Sequence, residues 1–133
     1  MSNSDLSFPG RIRIRWDGGL VTVTLRDTPT ARKLWQHLPM ESRAQTWGEE
    51  VYFRTPVEAA LESDARQKVA PGDVCFWCEG GALALPYGRT PMSIDCDPML
   101  VSACNQLGKI EQDAKALASI RDGMRIHVEA DQG

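Results

Sequence analysis

The chain is poor in the residues that mark several function classes. It has only two histidines, His37 and His127, far apart and without companions, which is too few for a metal site. No apolar run approaches the roughly 20 residues that cross a bilayer as a helix. The stretch Met1 to Gly10 is polar, without the basic start and apolar middle of a secretory signal. Cations do not dominate either: 15 Lys and Arg stand against 18 Asp and Glu, for a formal net charge of −3. Nucleic acids and anionic membranes select clustered Lys and Arg, so neither is expected as a partner. The short basic stripe Arg11, Arg13, Arg15 reads as the wet face of a strand. A phosphate-binding Walker loop, a dinucleotide glycine pattern and a nucleophile elbow are all missing, and no cofactor is implied. The expectation is a soluble cytoplasmic domain.

Four cysteines in such a setting are expected to stay reduced. Cys75 and Cys78 spell C-x-x-C, but on an extended strand that odd spacing turns the two side chains to opposite faces. A thioredoxin-like pair needs a helix start, which Val74, Phe76, Trp77 and Glu79 do not offer. Cys96 and Cys104 supply no second pair with zinc spacing, so no metal ligands are assigned.

What is present is period-2 alternation. Ile12, Ile14 and Trp16 alternate with the three arginines, and Asp17-Gly18-Gly19 then turns the chain. Val21, Val23 and Leu25 alternate with Thr22, Thr24 and Arg26, which completes a hairpin. A helix follows at about 28–38: Thr28 caps it and Pro29 suits its first position. Ala31, Leu34, Trp35 and Leu38 make its apolar face, and Pro39 ends it. Further strands are expected at Glu41–Thr46, Glu49–Thr55, Asp73–Trp77, Ala82–Leu85, Asn105–Ile110 and from Met124 onward. Pro86 to Pro98 reads as a long loop, and a short helix is expected at about 113–120. With 133 residues, 42% of them apolar, this is one domain with one real core, framed by loose tails at 1–10 and 130–133. Many short strands with Gly and Pro turns favour a closed barrel, in which no sheet edge is left exposed.

The run Glu41-Ser42-Arg43-Ala44-Gln45-Thr46-Trp47-Gly48-Glu49-Glu50-Val51-Tyr52-Phe53 resembles the signature of a prokaryotic family of small cyclophilin-like proteins. Gly72-Asp73-Val74 with Phe76-Trp77, then Gly81-Ala82-Leu83, Tyr87-Gly88-Arg89-Thr90-Pro91 and Gly108-Lys109-Ile110 follow in the family's order. The resemblance covers roughly residues 11–129. It implies an eight-stranded closed β-barrel with two helices, similar to that of peptidyl-prolyl isomerases, and a family without a settled activity. Related domains occur in amidohydrolase assemblies. Cys78-Glu79, and the stretch Ala84 to Tyr87, depart from the family's usual residues.

Candidate chemistry gathers on one strand face. Glu50 and Tyr52 share a side of the strand at 49–55, and Arg43 follows the first helix in the topological order of the isomerase arginine. An arginine, a carboxyl and a phenol together can orient and polarise an amide or a carboxylate. Arg43, Glu50 and Tyr52 are therefore the catalytic candidates, with Trp47, Trp77, Tyr87 and Thr90 as ligand-binding walls. The loop Pro86–Pro98, hinged at Gly88, is the expected cover. The plainer alternatives are an Arg43–Glu50 cross-strand pair without chemical duty, and aromatic residues that merely fill core. Function reads as a pocket for a small polar, amide- or carboxylate-containing ligand. The alternatives are a non-catalytic accessory subunit that binds a protein partner, and a weak prolyl isomerase.

Overall fold

The computed structural model describes residue 8 and residues 10–131. Of the two expected tails, residues 1–7, 9, 132 and 133 lie outside the described residues. In chain order the elements are β1 (Arg11–Trp16), β2 (Gly19–Leu25), α1 (Pro29–Gln36), β3 (Met40–Arg43), β4 (Gln45–Thr46), β5 (Glu50–Arg54) and β6 (Arg66–Lys68). They continue with β7 (Asp73–Trp77), β8 (Ala82–Pro86), β9 (Met99–Ile110), a 3₁₀ helix (Ala114–Ser119) and β10 (Arg125–Ala130).

The strand path runs β3-β10-β1-β2-β9-β7-β8-β5-β4, with β6 attached to β9. Every pairing is antiparallel. The expected closed barrel is not what this ladder shows: its ends, β3 and β4, do not pair with each other. They are consecutive pieces of chain separated only by Ala44. Ala44 is buried, its N–H donates to the Met124 carbonyl at 2.8 Å, and its carbonyl accepts from Gly123 N at 2.8 Å. The segment expected as one strand thus breaks at Ala44, its first half pairing β10 and its second half β5. The second expected helix is present as a 3₁₀ helix.

Alternation sorts the side chains as it must on a pleated strand. Ile12, Ile14, Val21 and Val23 face the main core with Val51, Phe53, Val74, Phe76, Leu83, Leu85 and Leu107. The arginine stripe of β1 is the wet face: Arg11 pairs with Glu111 and Asp131, and Arg13 and Arg15 both reach Glu129. Helix α1 starts as its sequence dictates, with Thr28 Oγ1 accepting from Ala31 N and Pro29 at the first position. It buries Ala31 and Leu34, whereas Trp35 and Leu38 are only half-buried at the margin of the core.

A second, smaller apolar cluster lies on the opposite face of the same strands. Cys75, Ala84 and Cys104 form it with Val69 and Leu100, and Tyr52 and Trp77 pack against it. What covers this face is β9. The strand extends back to Met99, well before the expected start at Asn105; its first half pairs β6 and its second half pairs β7 and β2.

Candidate functional site

In this outer layer lies a cavity of about 120 Å³, lined by Trp47, Glu50, Tyr52, Trp77, Ala84, Leu100, Val101 and Cys104. Its floor follows from strand parity. Val51 and Phe53 point into the main core, so Glu50 and Tyr52 must point outward; on β7 and β8, Trp77 and Ala84 do the same. Leu100 and Val101 of β9 form the opposing wall. Trp47 enters from the turn before β5, where its N–H donates to the Glu50 carbonyl at 2.9 Å. That turn requires glycine at position 48. Gly48 sits at φ 60°, and a Cβ there would meet Pro91 Cδ at 2.8 Å and the Arg89 carbonyl at 3.0 Å.

Glu50 is the unusual member. Only 6% of its surface is exposed, and its Oε1 is buried without a hydrogen-bond partner. A carboxylate in that position loses hydration and gains nothing in return, so burial pushes its pKa from 4.5 up to about 7. Cys104 shares the cavity; burial, and then the nearby Glu50 charge, push its thiol up to about 12. Cys75 lies behind them and is raised by burial first of all, with its Sγ 3.7 Å from Gln106 Oε1. The polar tips of two lining residues are bonded elsewhere: the Tyr52 hydroxyl donates to Gln45 Oε1 at 3.0 Å, and Trp77 Nε1 to Glu79 Oε1 at 3.4 Å.

Four of the seven sequence candidates therefore meet here: Glu50, Tyr52, Trp47 and Trp77. Three do not. Arg43 is exposed, donates to the Gly123 carbonyl at 3.0 Å, and lines a separate open groove of about 600 Å³ with Arg15, Arg125 and His127. Among the described residues neither it nor Glu50 takes part in an ion pair, so the alternative of an Arg43–Glu50 cross-strand pair is not formed. The physical reason is the break at Ala44: β3 turns away to pair with β10, and only β4 stays beside β5. Tyr87 packs against the main core, and Thr90 is buried with its hydroxyl donating to the Met99 carbonyl at 2.5 Å.

The loop after β8, expected to hinge at Gly88, is bonded to the turn before β5 at that point. Glu49 fastens it, its carbonyl accepting from Tyr87 N at 2.8 Å and Gly88 N at 3.2 Å, and its Oε1 from Arg89 N at 3.0 Å. Leu100 and Val101, outside the expected candidates, line the cavity as well. The signal was there in Met99-Leu100-Val101 directly after Pro98, an apolar run at a strand start.

Among the described residues, no group of three or more His, Cys, Asp or Glu is arranged to hold a metal ion. All four cysteines are free thiols, with Cys75 and Cys104 buried.

The profile of a family described as cyclophilin-like matches residues 10–129. The chain belongs to the cyclophilin-like family. A solved relative is the hypothetical protein AF2241 from Archaeoglobus fulgidus, whose solution structure matches with a TM-score of 0.79 at 35% identity over 91% of this chain and 94% of that one. No curated protein matches. As a cyclophilin-like protein the chain takes its fold from the family, whose relative here is itself described only as hypothetical. The reading of its chemistry rests on the cavity. No helix among the described residues is long and apolar enough to cross a membrane.

Proposed function

We propose that this cyclophilin-like chain is a small-molecule-binding domain that takes its ligand into the cavity between β5, β7, β8 and β9, with Glu50 as the polar anchor. The observation that carries the reading is the buried, unpartnered Oε1 of Glu50 in an otherwise aromatic and aliphatic cavity. A buried polar atom without a partner costs about 1–3 kcal/mol, more if it is charged. A ligand group that bonds to it recovers that cost. Concave, mostly apolar sites with one convergent polar group are the usual form of a ligand pocket.

Protonated, Glu50 presents a donor and an acceptor side by side, which suits an amide. A carboxylate ligand has less in its favour, because Arg43, the cation meant to clamp it, faces another groove. A carboxyl that titrates near neutrality also suits proton transfer, which makes Glu50 the residue for acid–base chemistry at this site.

The test is a titration with acetamide and 2-pyrrolidinone at pH 6, followed by backbone amide NMR shifts. Shifts centred on Trp47, Tyr52, Trp77, Ala84 and Leu100, and lost in Trp77→Ala, support the pocket. Shifts gathered at the Arg43 groove, or nowhere, overturn it.

A further inference from the structure

Ionised Glu50 has no counter-charge of its own. The Cys75 thiol on β7 and the Cys104 thiol on β9 lie close enough to feel its charge, and Tyr52 on its own strand lines the same cavity; none of them is cationic. Asp73, further along β7, is already paired with Lys109 at 2.7 Å. A second acid, Glu79, is bonded to the Trp77 indole N–H on the protein surface. No Lys, Arg or His lines the cavity.

Three aromatic side chains do line it: Trp47, Tyr52 and Trp77. The Tyr52 O–H and the Trp77 N–H are already committed to Gln45 and Glu79, which leaves their rings as what these residues have to offer a ligand. Aromatic faces carry negative quadrupoles and attract cations, most strongly where water is excluded.

Resting on the pocket reading above, we infer that the ligand this cavity selects is a small organic cation, an amine or quaternary ammonium head group, seated against Trp47, Tyr52 and Trp77 with Glu50 as its counter-ion. An amide makes use of the neutral carboxyl alone. A cation uses the carboxylate and the three rings together, and supplies the charge partner that the protein withholds. Its binding also releases a proton wherever empty Glu50 is protonated. Affinity for a cation therefore rises with pH through about 7 and then levels, the opposite slope to that expected for an amide.

The experiment compares choline with its uncharged isostere 3,3-dimethylbutan-1-ol by calorimetry and NMR at pH 5.5 and 8. Choline is expected to bind at least about tenfold more tightly than the alcohol at pH 8, with the advantage shrinking at pH 5.5. Glu50→Gln should remove the advantage while the alcohol still binds. If Glu50→Gln does not fold, Trp47→Leu, at a half-buried site, serves instead and should weaken choline more than the alcohol. An alcohol that binds as well as choline at pH 8, with shifts in the cavity, overturns the cation assignment and leaves the pocket standing. If neither compound perturbs the cavity, the cation assignment falls, and the amide titration decides whether the pocket stands.

Discussion

Two carboxyl groups set opposite pH slopes. Glu50 is raised by burial from 4.5 to about 7, so between those values the folded protein holds a proton that the unfolded chain releases. Its contribution to stability is complete below 4.5 and is lost as pH rises to about 7. Glu50→Leu should accordingly stabilise the protein at pH 8 by up to about 3 kcal/mol and flatten its urea midpoint between pH 5 and 8. An unchanged slope in that variant would show that Glu50 is hydrated after all. Glu111 behaves inversely. The Arg11 guanidinium first, then the hydroxyls of Thr24 and Thr22, hold it down at about 2. That contribution is present above 4.5 and disappears as pH falls through about 2. Glu111→Gln should lower Tm at pH 6, with a gap that closes in acid. From these two groups alone, stability peaks near the pKa of 4.5 that both share when unfolded.

Among elements, α1 shows how a short helix divides its apolar face. Leu34 is fully buried whereas Leu38 lies past the last helical residue and is only half covered. Leu34→Ala should cost about 3 kcal/mol in chemical denaturation and Leu38→Ala clearly less; equal losses would mean that the helix face is assigned wrongly. Thr28→Ala should cost about 1 kcal/mol through its lost cap. This helix was legible because cap, proline and i, i+3, i+4 spacing are local signals. So were β1, β2, β7 and β8, where turn chemistry and alternation agree. The path of residues 40–46 was not legible, since alternation cannot report that a buried alanine hands a strand from one neighbour to another. One catalytic candidate was lost with it: parity placed Glu50 and Tyr52 on one face, but Arg43 was joined to them by an assumption of continuity. β9 escaped in part for a different reason. Its first half serves a second apolar layer, and a sequence read for a single core offers no place for Leu100 and Val101.

For the molecule as a whole, the two apolar layers predict how its thiols react. Cys96 is exposed, Cys78 half-buried, and Cys75 and Cys104 are buried in the outer layer. A thiol reagent should therefore find Cys96 at once and Cys75 and Cys104 only on unfolding, when all four titrate without prior reduction. Rapid native labelling of Cys104 would mean that the layer formed by β9 opens readily.

The junction at Ala44 bears on how the sheet comes apart. One residue carries the chain between the two end strands of the path, so neither end can drift far while that residue holds both of its bonds to the Gly123–Met124 turn. The ends of this sheet are tethered neighbours rather than free margins, and a single backbone cleavage beside Ala44 would untie both together. Deuterium uptake at the Ala44 amide then times that seam directly, minute by minute, in the intact protein.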